Sequence, residues 1–493
     1  MRRIATTRRG FMAMSTSLAA LLAGCGAKQG ATAASNETGA TARSTNSTAS
    51  VARETISNDV DGEHAIEVSG EQKAYAAVDV TKTGNAEGDE ADFYGENAAV
   101  FATEKATLDL EDVSVTTDGT HANAIFSYGE GTTVNVSNST IETSGNCSGG
   151  IMVTGGGTLN ATNLQVHTTG NSSASIRSDR GGGVQNVTGG TYATDGTGSP
   201  AIYSTAEVHV SKATLSSTAS QGVVVEGKNS VELAECALTA DNNTKNSDKS
   251  DWYQAVMIYQ SMSGDATEGT ASFSMSGGSL VNVNGDVFFV NNTVATISLS
   301  GVAVSNQDGE GNLLRAAAAG WGSEGNNGGQ VTLKANGQEL AGTILVDEVS
   351  NLNLYLAEGS SFAGAINPEG AAGDVYVEVA DGSMWELTAD AYVTGLTCGT
   401  DAIALNGYTL HVGDATYEEG SESKGEPIQT KVSEASGGPG DGGEPPQKPD
   451  GGSGEPPAKP DGQGGEPPAK PDGQGGEPPA KPGETPDSST NAA

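Results

Sequence analysis

Cysteine, aromatic side chains and basic charge are all scarce in this chain of 493 residues. Only four cysteines occur and none forms a CxxC pair, so neither a disulfide scaffold nor a zinc ribbon can be read from spacing. Aromatic residues contribute 5% and all hydrophobic residues 35%, which is low for compact α/β domains but adequate for an all-β solenoid rich in Gly, Asn, Ser and Thr. Lys and Arg number 24 against 62 Asp and Glu, a formal net charge of −38. Such a charge repels nucleic-acid phosphates and anionic lipid. Nucleic acid is therefore excluded as a partner, and neutral glycans, cations or a surface protein remain. Phosphate-cradling loops, EF-hand loops and Ca²⁺-binding nonapeptide arrays are absent. Acidic turns leave Ca²⁺ open as a ligand, and no other cofactor is implied.

Long apolar runs are missing too. A membrane span needs about 20 predominantly apolar residues, whereas the stretch from Gly10 to Leu22 is shorter and mild, and follows Arg2, Arg3, Arg8 and Arg9. Residues 1–25 thus read as a secretory signal. The tetrad Leu22-Ala23-Gly24-Cys25 resembles a bacterial lipobox, which implies acylation of Cys25. Thr7-Arg8-Arg9-Gly10-Phe11-Met12 is similar to a twin-arginine export motif built on Arg8 and Arg9, with Ala13 where Lys often stands. The expected location is extracytoplasmic, lipid-anchored to the bacterial cell membrane and exposed at the surface. Cys147, Cys236 and Cys398 read as separate small side chains in or near a core.

Composition divides the rest into three. Residues 26–65, rich in Ala, Ser, Thr and Gly, read as a flexible tether. Residues 66–417 alternate Val, Leu and Ile with polar residues, the pattern of strands with one buried face. Residues 418–493 hold 15 of the 17 prolines, with Gly-Glu-Pro-Pro recurring from Gly443, Gly454, Gly465 and Gly476, and read as a disordered Pro/Gly-rich tail.

Within the body a strand-turn-strand unit repeats, starting at Leu110, Val136, Ala161, Val187, Val210 and Leu233. The starts lie 26, 25, 26, 23 and 23 residues apart, with weaker copies from Met275, Leu299, Leu333, Leu356 and Val379. A second series, including Ala124-Ile125-Phe126 and Gly150-Ile151-Met152-Val153, keeps the same phase. Two or three strands per interval, with no room for a helix, describe one coil of a parallel β-helix. The third turn position is Asn138, Asn163, Gly189, Gly277 and Gly301 in five copies, which suits a bend at positive φ, and Lys212 and Glu235 depart from that preference. The intervals of 42 residues before Met275 and 34 before Leu333 exceed one coil by roughly 18 and 10 residues, which a solenoid extrudes as loops on one face.

The stretches Ala122-Asn123-Ala124-Ile125-Phe126-Ser127-Tyr128-Gly129, Ser178-Asp179-Arg180-Gly181-Gly182-Gly183, Ser199-Pro200-Ala201-Ile202-Tyr203-Ser204-Thr205 and Ile258-Tyr259-Gln260-Ser261-Met262-Ser263-Gly264-Asp265 carry a resemblance. Over about 75–412 the chain resembles bacterial right-handed parallel β-helix surface proteins, the adhesin-like group that shares its architecture with pectate lyases and autotransporter passengers. The segment from Trp385 to Leu410 is similar to the closing cap of such helices. The resemblance implies the fold; adhesins, lyases and hydrolases all use it.

Catalytic patterns are thin. Arg177 and Arg180 flank Asp179 without the paired-arginine lyase motif and read as a solvated turn. Asp89, Glu90 and Asp92, like Asp248 and Asp251, are acidic neighbours expected in solvated loops, and His121, His167 and His209 fall in separate coils with surface or structural roles. Trp252 and Tyr253 in the longer insertion, Tyr259 just after it and Trp321 in the shorter one are the candidate ligand-binding residues, because aromatic faces stack on sugar rings or anchor protein partners. The expected function is non-catalytic adhesion or glycan or protein binding. A polysaccharide lyase or glycoside hydrolase is the alternative, and a structural surface spacer the third reading.

Overall fold

A computed structural model describes residues 53–430. Arg8, Arg9 and Cys25, the tether up to residue 52 and the tail from residue 431 lie outside the described residues. The chain is a parallel β-helix in which each full coil contributes strands to three faces. The first face is an 11-stranded sheet running from Ile66–Ser69 to Ile344–Val346, and the other two merge around a bend into a 21-stranded sheet. Gly157–Thr168 shows the merger: this single strand bends at Asn163, pairing on both sides of the bend with Gly183–Thr194 of the next coil.

Alternation dictates what goes inside. Leu110, Val136, Ala161, Val187, Val210, Leu233, Met275 and Leu299 pair in consecutive coils and form one buried column. Each coil thus buries its apolar stripe against copies above and below, so the core is continuous along the solenoid although no single coil has one. The repeat is displaced once. Ala335, not Leu333, stacks on Leu299, and the column continues through Leu356 and Val379.

Two corners are regular. At the bend between the second and third faces, Asn138, Asn163, Gly189, Gly277 and Gly301 have φ between 51° and 66°. Lys212 (55°) and Glu235 (53°) adopt the same left-handed conformation despite their side chains. At the corner leading back to the first face, Gly119, Gly145, Gly170 and Gly196 stack so closely that a Cβ on any of the last three would lie within 2 Å of the carbonyl oxygen of the glycine before it. Ser148, Ser173 and Ser199 donate to the carbonyls of Gly119, Gly145 and Gly170 at 2.8, 3.0 and 2.8 Å, locking each turn to its predecessor.

The ends and one insertion depart from the sequence reading. The strand Glu54–Asn58 pairs with Val78–Lys82, so the solenoid begins ahead of residue 66. At the other end it extends past 417: Ser423 bridges Cys398, and Ile428 exchanges two hydrogen bonds with the side chain of Asn353. Trp385 is fully buried there, stacked on Phe362 and donating its indole N–H to Gly364, as a closing coil requires. A helix, α1 (Asp89–Tyr94), also finds room where none was expected. It lies in an insertion ahead of the first repeat and is closed by Gly95 at φ 70°, whose N–H caps Ala91.

Candidate functional site

The outer side of the first sheet is where this β-helix differs from a bare rod. Its central outward position is occupied in successive coils by Phe101, Phe126, Met152, Arg177, Tyr203, Val224, Met257, Phe289 and Arg315. The flanking positions, such as Ile125, Ile151, Ile176 and Ile202, point into the core. A row this apolar cannot face water over its whole length, and the insertions cover it in two places. The α1 insertion lies on Phe101, Phe126 and Met152, with Ala98 in the same cluster and Tyr94 edge-on to Tyr128. Segments 241–253 and 317–327, the two loops expected from the long repeat intervals, cover Val224, Met257 and Phe289. The signal was present in the sequence: Ile125-Phe126 and Ile151-Met152-Val153 are apolar without alternation, the mark of a strand buried on both faces.

Under the second cover the aromatic candidates converge. Trp252 packs tilted on Phe289 with ring centroids 5.4 Å apart and lies beneath the Arg315 guanidinium at 4.6 Å. Tyr259 meets the edge of Trp321 at 5.2 Å. Trp252, Tyr253, Tyr259 and Trp321 are each half-buried, and all line one shallow cavity of about 120 Å³ together with Tyr203, Gln221, Asn242, Asn246 and Gln254. Each insertion therefore uses its tryptophan both to seat the loop and to face the cavity. No carboxylate is among the described residues lining it. Glu226 stands just behind, buried, and accepts hydrogen bonds from Tyr203, Tyr259 and Ser261. Burial, reinforced by that carboxylate, pushes both phenols far above the ordinary tyrosine range, so they present O–H dipoles and not charge.

Between the two covers sits a charged junction that sequence spacing had placed in water. Arg177 is 9% exposed, Asp179 9% and Asp92 5%, in contrast to the solvated turn and loop expected for them. Arg177 Nη2 donates to Asp92 Oδ2 at 2.9 Å and lies 3.5 Å from Asp179 Oδ2, while Nη1 donates to the Cys147 carbonyl at 3.0 Å. Burial works against the Arg177 charge, yet its two carboxylate neighbours prevail and hold its pKa above the ordinary value. For Asp92 burial is likewise outweighed, by Arg177 and His121, and its carboxyl stays below the usual range. Asp179 goes the other way: burial pushes it up to about 6, more than Arg177 can pull back. Arg180 remains partly exposed, pairs with Asp265 at 2.8 Å and lies over the Phe93 ring at 3.9 Å, joining the α1 insertion to the loop after Tyr259.

Asp179 yields a pH-dependent prediction. Its folded pKa of about 6 lies above the reference 3.8, so the group favours the folded state below the lower value and loses that contribution as pH rises through 6. The difference corresponds to about 3 kcal/mol at pH 8. Asp179→Asn keeps an acceptor for the Arg180 N–H, bonded at 2.8 Å. Urea unfolding should find the variant more stable than wild type at pH 8 and indistinguishable from it at pH 4; equal stability at both would refute the shifted carboxyl.

His121 also moves from its expected isolation, lying 3.1 Å from Asp92 and one coil from Cys147. His167 and His209 stay on the surface, His167 between Glu142 and Asp195 and His209 beside Glu232. Asp251 is exposed and pairs with Lys245 at 2.8 Å. No family model, no curated protein and no solved structure matches this chain.

Proposed function

We propose that this chain is a non-catalytic, ligand-binding β-helix of the bacterial cell surface, held to the membrane by a lipid on Cys25 after twin-arginine export through Arg8 and Arg9, with the aromatic cavity as its binding site. One observation carries the reading: Trp252 and Trp321, 69 positions apart in the sequence, line a single cavity with Tyr203, Tyr259 and a set of amide side chains. Aromatic faces beside amide and hydroxyl groups suit the alternating CH faces and hydroxyls of an uncharged glycan, and the one cation among the described lining residues, Lys245, is already paired with Asp251. An acidic polysaccharide would meet the net charge of −38. A glycosidase would need two carboxyls across the ligand, and the cavity lining supplies amides instead. This favours binding over hydrolysis. The spacer reading loses its main support because neither tryptophan is fully buried.

Glycan-array binding with the purified chain tests the site. Trp252→Ala or Trp321→Ala should weaken the bound glycan by about 2 kcal/mol each, roughly thirty-fold, as for a central aromatic anchor. The absence of any glycan ligand, or undiminished binding in both variants, would defeat the proposal; shortened polymer would replace it with an enzyme. Cys25→Ser should release the protein from the membrane fraction.

A further inference from the structure

The corner turns place chemistry together that the linear spacing of cysteines and histidines does not suggest. His121 and Cys147 are 26 residues apart, one coil, and occupy corresponding turn positions at φ 53° and 55°. The backbone N–H of His121 donates to Asn146 O at 3.0 Å, so the two turns are directly stacked. Asp92 reaches the same point from α1. A carboxylate oxygen, an imidazole nitrogen and the cysteine sulfur then lie within 4.8 Å of one another.

A second observation concerns how these groups meet. His121 Nδ1 is 3.1 Å from Asp92 Oδ2, yet this buried nitrogen makes no hydrogen bond, because the ring's donor direction misses the carboxylate. Two ligands bound to one tetrahedral ion at roughly 2.0–2.1 Å stand about this far apart. The ligand positions are also held from behind. Asn123 donates to Asp92 Oδ1 at 3.1 Å, and Arg177 ties Asp92 to the Cys147 turn through its two terminal nitrogens. Such outer contacts are what orient metal ligands.

We infer that Asp92, His121 and Cys147 form a three-residue site for a borderline-soft divalent cation of the zinc class. One sulfur, one nitrogen and one oxygen favour such an ion over Ca²⁺ or Mg²⁺, which take oxygen ligands. Thiolate and carboxylate together supply two negative charges to match the ion, while Asp179 remains beside Arg177 to balance the guanidinium. The ion clasps the α1 insertion to two successive coils, joining residues 29 and 55 positions apart, and leaves a fourth coordination position for water or an incoming group. This site is separate from the aromatic cavity and does not depend on the glycan reading.

The full chain, stripped with chelator, is titrated with Zn²⁺ by calorimetry and with Co²⁺ by absorption spectroscopy. One equivalent of either ion should bind, and the cobalt form should show a thiolate-to-metal charge-transfer band. Cys147→Ser should abolish that band while the β-sheet circular dichroism is kept, and Asn123→Ala should weaken Zn²⁺ about 10–100-fold. Should Cys147→Ser fail to fold, His121→Gln provides the same readout through loss of stoichiometric Zn²⁺. The inference is overturned if wild type binds neither ion near one equivalent, if the charge-transfer band survives in Cys147→Ser, or if His121→Gln retains full Zn²⁺ stoichiometry.

Discussion

Arg177→Met is expected to destabilise the β-helix by about 3–5 kcal/mol, the cost of removing one partner from a buried charge cluster. Methionine fills much of the guanidinium's volume, so the loss is electrostatic and not a cavity. What remains is Asp92, 5% exposed, beside Asp179, 9% exposed, with no guanidinium between them. Asp179 already holds its proton up to about pH 6 with Arg177 present; without it, both carboxyls should retain protons further toward neutrality. The variant's deficit should therefore shrink as pH falls toward 4. Urea unfolding is best measured in chelator, so that no bound cation stands in for the missing guanidinium. A triple variant, Arg177→Met with Asp92→Asn and Asp179→Asn, should recover most of the loss, because neutral amides leave no unpaired charge. If Arg177→Met costs less than about 1 kcal/mol, the value of a surface ion pair, the junction is wetter than its burial implies.

That junction also marks where sequence reading stops. The column from Leu110 through Leu299 was legible residue by residue, because each coil repeats the same inward positions 23 to 26 residues apart, the 42-residue step to Met275 excepted. The positive-φ bend was legible in Asn138, Asn163 and Gly189 for the same reason, and Lys212 and Glu235 follow it because neighbouring coils impose the corner whatever side chain it carries. The aromatic cavity was half legible. The two long intervals located the loops, but only folding brings Trp252 and Trp321 to one cavity. Less accessible was anything depending on what the insertions cover. Asp92 and Arg177 are 85 residues apart, and nothing local in a six-residue helix, too short to carry an apolar stripe, announces that it packs onto a sheet. His121 and Cys147 were within reach. Their separation equals the coil repeat, and testing histidine and cysteine positions against that interval would have paired them.

The glycine corner predicts the other large loss, because there the coil spacing is set by backbone meeting backbone. A Cβ on Gly170 would lie 1.9 Å from the Gly145 carbonyl oxygen, 2.5 Å from its carbon and 3.0 Å from Ser173 Oγ. No rotamer change can relieve this, since two of the three atoms are main chain. Gly170→Ala must open the turn, and with it go the Ser173 bond to Gly145 O and the Ser199 bond to Gly170 O, at 3.0 and 2.8 Å. The expected cost is about 3 kcal/mol or more, the upper end for over-packing. In a solenoid each coil leans on its neighbours, so hydrogen exchange should rise in the coils carrying Gly145 and Gly196 as well as in the mutated one. The opposite corner is the control. Gly189 there has nothing nearer than 4.0 Å to a built Cβ, which explains how Lys212 occupies the same bend one coil later. Lys212→Gly exchanges left-handed strain for unfolded-chain entropy and should change stability by less than about 1 kcal/mol. Equal urea midpoints for Gly170→Ala and Lys212→Gly would mean that the two corners tolerate side chains alike, and that the stacked glycines do not set the spacing of the coils.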